Sequence, residues 1–102
     1  PKTVPWRARK ETYIEHLRQS PRDEARAVAS ADKIHNLCDM VTGFETLGRA
    51  FADAFTTGID GMIWYQRRVH GMLADTWAHP ILDEHGRRLD RFLAAAHAAS
   101  AP

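Results

Sequence analysis

Apolar side chains recur every three or four residues along most of the chain, and no stretch alternates apolar and polar residues for long enough to predict a strand. Glycine and proline divide this helical pattern into segments. The pattern therefore predicts an all-α protein of about five helices, with neither an internal repeat nor a linker between domains. A chain of 102 residues suits one such unit over residues 1–102.

The first two helices have clear expected boundaries. An apolar stripe that starts at Trp6 predicts a first helix over residues 6–19. The string Ser20-Pro21-Arg22-Asp23 then places a capping hydroxyl, a proline and an acid in the order typical of a helix start. A second helix is expected from this boundary to about Thr42, because Gly43 is a natural stop.

Three further helices are expected beyond this stop. The spacing of large apolar residues between Phe44 and Phe55 indicates a short third helix. Thr57 and Asp60 repeat the capping pattern before a fourth, and His79-Pro80 opens a fifth. Acids and arginines four residues apart predict two ion pairs on the fifth helix, Asp83–Arg87 and Glu84–Arg88.

The second helix separates into three surfaces when its residues are placed on a helical wheel. Asp32 and Asn36 share one surface with small and apolar residues, which predicts that another element covers them. An apolar stripe on the opposite side is the expected core: Ala27, Ala31, Ile34, Cys38 and Val41. A polar strip is the expected solvent face: Arg22, Arg26, Ser30 and Lys33.

A half-buried Asp32 would need compensation, since burying an isolated carboxylate is very costly. A metal ion, a cation or hydrogen-bond donors would each supply it. From spacing alone, hydrogen bonds from Asp32 and Asn36 to a neighbouring helix or loop are the favoured interpretation, because aspartate, histidine and asparagine also occur together by chance.

The segment Ala31-Asp32-Lys33-Ile34-His35-Asn36-Leu37 resembles the last metal-ligand motif of the HD-domain metal-dependent phosphohydrolases, particularly the branch of alarmone, or (p)ppGpp, hydrolases. Weaker likeness extends over residues 5–93 and includes Pro5-Trp6 and Trp64-Tyr65. The resemblance implies an all-α helical bundle.

The resemblance also implies roles for residues of the motif. Asp32 would be a ligand of a divalent metal such as Mn²⁺ or Fe²⁺, and Asn36 would hydrogen-bond a nucleotide substrate. Lys33 matches a commonly basic position but is assigned to the solvent strip, so it receives no site role. His35 is expected to pack.

The chain departs from the family pattern in its metal ligands. The family takes a histidine and an adjacent His-Asp pair before the distal aspartate, and this chain has no His-Asp dipeptide. We therefore expect the C-terminal half of an HD domain, whose other ligands would precede Pro1. Such a piece is expected to be inactive alone, because the hydrolysis needs a bound metal.

The resemblance defines the reaction more narrowly than it defines the substrate. Cys38 stands where alarmone hydrolases commonly carry a basic residue. The expected substrate is therefore a nucleotide or another phosphoester or pyrophosphate, with (p)ppGpp as one candidate. The alternative function is a non-enzymatic all-α interaction module in which Asp32 and Asn36 are structural.

Composition disfavours some partners and indicates a cellular compartment. The net charge of +1 argues against nucleic acid and anionic membranes, and no apolar run reaches the roughly 20 residues that a membrane span needs. A single cysteine indicates a reducing, cytoplasmic compartment. A helical half would expose the surface that its missing helices cover, so self-association or binding to its own N-terminal half is expected.

Other reactive residues receive structural interpretations. Cys38 is expected to be an inert core thiol, and Trp64-Tyr65 is favoured as core over a stacking platform for a nucleotide. A solvated helix face is preferred to a phosphate site for three cations: Arg7, Arg9 and Lys10. Four histidines lack ligand spacing and are expected at the surface or at caps: His70, His79, His85 and His97.

Overall fold

The computed structural model describes residues 4–55 and 58–100. Within those ranges the chain forms five helices and no strand, which confirms the all-α prediction. The helices are α1 (Trp6–Gln19), α2 (Asp23–Leu47), α3 (Arg49–Asp53), α4 (Gly58–Thr76) and α5 (Ile81–Ser100). None of these helices is both long enough and apolar enough to cross a membrane.

The turn between α1 and α2 is held by a buried guanidinium. Arg26 is 6% exposed, and its Nη2 atom donates hydrogen bonds of 2.8 Å to the carbonyl oxygens of Arg18 and Ser20. It also donates to Thr76 Oγ1 at the end of α4 (3.3 Å) and pairs with Asp23. Arg26 was predicted to face solvent, and that prediction is wrong because these partners satisfy the buried charge.

The end of α2 differs from the expected one. The helix passes through Gly43 and ends after Leu47, where Gly48 has a φ of 59° that favours glycine. Gly43 instead lies under the ring of Phe51 in α3, and a Cβ atom at position 43 would collide with that ring. This glycine therefore serves close packing and does not stop the helix.

The short α3 was only partly anticipated. Phe44 belongs to α2 and Phe55 follows α3, so α3 is shorter than the predicted third helix. The Phe44 ring lies 5.0 Å from that of Phe51 and 6.0 Å from that of Phe92 in α5, measured between centroids. Thr57, part of the expected cap of α4, lies outside the described residues.

Two apolar clusters fill the interior of a flat molecule, whose extents are 44 × 37 × 16 Å. The first cluster joins α1 and α4 through Ile14, Leu17, Val69 and Leu73. The second joins α2, α3 and α5 and contains Leu37, Met40, Phe44, Ala52 and Phe92. Both are reached by α2, which packs chiefly against α5.

Polar side chains lie along α2, α4 and α5 near the place where the two clusters meet, and Met62 packs against both clusters; we call Ser30, Gln66, His70 and His85 the polar seam. His85 is 0% exposed, although it was expected at the surface. Its Nδ1 shares a 2.9 Å hydrogen bond with Ser30 Oγ, and its ring lies 4.8 Å from that of His70. Within the described residues, His85 Nε2 and Gln66 Oε1 have no hydrogen-bond partner.

Burial of the His85 ring lowers its pKa to about 4, and electrostatic interactions with His70 and Lys33 act in the same direction. His85 is therefore neutral at pH 7 and contributes to the seam as an uncharged hydrogen-bonding group.

His79 and the ion pairs of α5 agree more closely with expectation, whereas His70, expected at the surface or at a cap, is half-buried. His79 caps α5, since its Nδ1 accepts a 3.0 Å hydrogen bond from the N–H of Ile81. Of the two predicted ion pairs on α5, Glu84–Arg88 is present at 2.9 Å. Arg87 pairs with Glu84 at 3.0 Å rather than with the predicted acid.

Candidate functional site

Asp32 and Asn36 lie on an open surface of α2. The Asp32 side chain is 57% exposed, and its Oδ2 accepts hydrogen bonds from Lys33 Nζ (3.1 Å) and Asn36 Nδ2 (3.5 Å). In the part of the chain that the structure describes, neither side chain bonds to another helix. The expected cover over Asp32 and the expected bonds to a neighbouring element are both absent from these residues.

Lys33 is buried, contrary to the prediction that it faces solvent. The residue is 6% exposed, and its ammonium lies 5.2 Å from the ring centroid of Tyr13 and 5.4 Å from that of Tyr65. Cation–π attraction and the Asp32 carboxylate compensate the buried charge. Lys33 and Asn36 therefore both hold the same oxygen of Asp32, Oδ2.

The pKa values of Lys33 and of the neighbouring Tyr65 follow from their surroundings. Burial by itself lowers the pKa of Lys33, but Tyr65, Tyr13 and the hydrogen bond to Asp32 together outweigh it, so the pKa is raised. Burial raises the pKa of Tyr65, and the nearby Lys33 only partly opposes that rise. At neutral pH Lys33 is thus a fixed positive charge beside Asp32.

A second group of cations lies on aromatic rings between α1 and α4. Arg7 Cζ is 3.9 Å from the ring centroid of Trp64. Lys10 Nζ is 4.9 Å from that of Tyr65 and 6.0 Å from that of Trp6. We call these five residues the basic–aromatic surface.

The charge of Lys10 is poorly compensated. Burial lowers its pKa, and repulsion from Lys33 and Arg9 lowers it further. Tyr65 contacts both Lys10 and Lys33, and Lys33 contacts Asp32, so the basic–aromatic surface is connected to the motif on α2.

The wheel assigned the core stripe of α2 to the wrong side. Ala31 is exposed, and Ile34, Cys38 and Val41 are only half-buried. The buried stripe consists of Arg26, Ala29, Ser30, Lys33, Leu37, Met40 and Phe44.

Cys38 lies in a cleft of about 710 Å³ between α2 and α5, so it is not the expected core thiol. Arg88 and Arg91 of α5 also line this cleft. His35, which was expected to pack, is exposed and pairs with Asp39 at 3.3 Å. Trp64 is half-buried and Tyr65 is buried, so this pair contributes to the core as expected.

The hydrogen bond between Ser30 and His85 has the form of a nucleophile and its base. Both residues are 0% exposed. A substrate has no access to the Ser30 hydroxyl in this fold, so the pair is structural.

The described residues do not complete a divalent-metal site. Among them, no three His, Cys, Asp or Glu side chains are grouped so that they would hold a metal ion. Asp32 offers one carboxylate, and the nearby His35 and Asp39 are paired with each other. Ions such as Mn²⁺ bind several oxygen or nitrogen ligands, so Asp32 would need ligands from outside this group.

Comparison of the chain with protein-family models, with curated proteins and with solved structures gives no match.

Proposed function

We propose that this chain forms one wall of a metal-dependent phosphohydrolase that acts on a nucleotide or another phosphoester or pyrophosphate, with (p)ppGpp as one candidate. The main support is the open pair of Asp32 and Asn36. Both occupy motif positions, and neither has a partner on another described helix. A structural aspartate would be expected to bond across the helix interface, whereas a ligand must remain accessible.

In this proposal Asp32 is one ligand of a divalent ion, and Asn36 donates a hydrogen bond to the substrate. Lys33 fixes the orientation of the Asp32 carboxylate. The remaining histidine and aspartate ligands come from the N-terminal half of an HD domain, beyond the described residues. The chemistry that such an ion would supply is polarisation of a phosphoryl oxygen and a lower pKa for a water molecule.

The structure dictates which substitution tests this role. Asp32→Ala would remove the carboxylate partner of the buried Lys33 and lower stability for that reason alone. Asp32→Asn keeps an acceptor oxygen for Lys33 and removes the charge that a metal ligand needs. When the other metal ligands are also present, we expect Asp32→Asn to lose bound metal and turnover and to lower the unfolding free energy less than Asp32→Ala does.

Asp39→Asn is the matched control, because Asp39 is an exposed carboxylate on the same helix. Metal content measured by elemental analysis and turnover measured on a pyrophosphorylated nucleotide should both be retained in this control. If Asp32→Asn also retains metal and turnover, Asp32 is not a ligand and the proposed function fails.

The 102-residue chain alone is expected to be inactive. Purified chain supplied with Mn²⁺ should not hydrolyse a pyrophosphorylated nucleotide, because Asp32 is its only ligand of the family set. Turnover by the chain alone would show that the site is complete within it, against this proposal.

The alternative function, a non-enzymatic interaction module, is supported by the second apolar side of α2. That side includes Ala31, Ile34, Cys38 and Val41 and is incompletely covered by the described helices. We propose that it is covered by the chain's own N-terminal half or by another copy, in the cytoplasm, where Cys38 stays reduced. Light scattering that shows a monomer with no bound partner in dilute solution would contradict this association.

A further inference from the structure

Two cations of α1 lack an anionic partner among the described residues. Arg7 and Lys10 form neither an ion pair nor a hydrogen bond there, although both approach aromatic rings. Glu11, the acid next to Lys10 in the sequence, is engaged with Arg68 of α4 at 3.3 Å. Arg9 donates a 2.9 Å hydrogen bond to the carbonyl oxygen of Val4. Arg7 and Lys10 therefore carry positive charge that no described acid neutralises.

The aromatic rings hold the two cations in defined places. Arg7 and Lys10 are three residues apart on α1 and so lie on one face of the helix. Stacking on Trp64 covers one plane of the Arg7 guanidinium and leaves its edge, which carries the N–H donors, available. Lys10 is held beside Tyr65, which reduces the rotamer entropy that it would lose on binding.

The positive charges of this surface repel one another. The first turn of α1 contains no acid, so these cations face the positive end of the helix dipole. Lys33 also lies against the Tyr65 ring, although its charge is partly offset by Asp32. An oxyanion placed between Arg7 and Lys10 would offset this repulsion and satisfy their donors.

We infer that Arg7 and Lys10 form a clamp for a phosphoryl oxyanion, and that this anion is the pyrophosphate or polyphosphate group of the substrate. The assignment to a substrate rests on the proposed function; binding of the anion does not. A guanidinium edge and an ammonium are well suited to phosphoryl oxygens. The net charge of +1 favours a small anion over a nucleic acid, which needs a larger basic footprint.

The clamp is tested on the 102-residue chain without metal, in low salt and with a chelator present. Inorganic pyrophosphate is titrated while tryptophan fluorescence is recorded, since Arg7 stacks on Trp64, and calorimetry gives the dissociation constant. We expect saturable binding that weakens about tenfold in Arg7→Gln and about tenfold in Lys10→Gln, because each removes one charge-assisted contact.

Arg91→Gln is the matched control: Arg91 is an exposed arginine on α5 with no ion pair in the described residues, and its removal should leave binding unchanged. Circular dichroism confirms that each variant keeps its helices. Unchanged pyrophosphate binding in the Arg7→Gln, Lys10→Gln double variant would overturn the clamp. Equal binding of sulfate and pyrophosphate would overturn it too, because that result indicates general ion screening.

A further titration identifies the source of the phosphoryl group. Guanosine diphosphate that binds more tightly than pyrophosphate, with the same dependence on Arg7 and Lys10, identifies a nucleotide. Equal affinity shows that the pyrophosphate group alone is recognised. Because the titrations involve neither metal nor turnover, their failure is distinct from that of Asp32→Asn in the complete protein.

Discussion

Acidification should destabilise the fold through His85. This side chain is wholly buried and neutral, it bonds to Ser30, and the Lys33 ammonium and the His70 ring lie nearby. A proton binds more readily to His85 in the unfolded chain, where its pKa is ordinary, than in the folded one, where the pKa is about 4. The stability that depends on neutral His85 is complete above about pH 6.5 and is lost as the pH falls towards 4.

The size of the effect follows from the two pKa values. Each unit of difference corresponds to about 1.4 kcal/mol, so the full loss below pH 4 is about 3 kcal/mol. Between pH 7 and pH 5 the unfolded chain gains most of its proton and the folded chain gains little. The expected loss of unfolding free energy over that interval is about 2 kcal/mol from this one group.

Urea unfolding at pH 7 and pH 5, followed by circular dichroism, measures this loss. His85→Asn keeps a hydrogen-bonding group near Ser30 but does not titrate, so its stability should fall by about 2 kcal/mol less than that of the parent over the same interval. His97→Asn, at an exposed position on α5, should show the parent's dependence. Contributions from acids such as Glu84, whose pKa is lowered by Arg88 and Arg87, are common to all three proteins and cancel. An identical pH dependence in His85→Asn and the parent would refute this reasoning.

Three further substitutions test the packing by urea unfolding at pH 7. Arg26→Met should cost about 3 kcal/mol, because it leaves two backbone carbonyl oxygens without their donor; a loss below about 0.5 kcal/mol, the size of an ordinary surface change, would show that the guanidinium does not hold the turn. Gly71→Ala should stabilise α4 by up to about 1 kcal/mol, since an added Cβ meets nothing within 4 Å. Gly43→Ala should instead cost about 1–3 kcal/mol, because the added Cβ collides with Phe51. Equal responses at the two glycines would contradict the close approach of that ring.

The bounds of the helices could be predicted better than the faces that they bury. Residues 6–19 form α1 as expected, because its stripe and flanking proline and serine are local signals. The faces of α2 were misassigned because this helix carries apolar residues on two sides. Arg26, Ser30 and Lys33 continue the spacing of the buried Leu37 at intervals of three and four residues, which was an available signal. Their polarity concealed it. Ser30 and Lys33 have partners far away in the sequence, His85 and Tyr65, and the carbonyl oxygens that Arg26 binds belong to the backbone and leave no signal in the residue types.

In the candidate site, too, local positions could be predicted but contacts between helices could not. Asp32 and Asn36 were placed correctly on one face by their spacing, since both lie on the same side of α2. Lys33 could not be connected to Asp32 from sequence, because the direction of its side chain depends on Tyr13 and Tyr65 from two other helices. The convergence of Lys10 on the same Tyr65 ring likewise depends on how α1 packs against α4.

The polar seam has a consequence for cooperativity. Shared apolar contacts make neighbouring regions open together. Met62 packs against both clusters, whereas the Ser30–His85 hydrogen bond joins α2 and α5 at a polar position between the cluster built on α1 and α4 and the cluster built on α3 and α5. The two regions should therefore differ in how well their amide hydrogens are protected from exchange with solvent. The long α2 contributes residues to both clusters. Amide exchange at its N-terminal end should therefore resemble that of α1 and α4, and exchange at its C-terminal end should resemble that of α3 and α5.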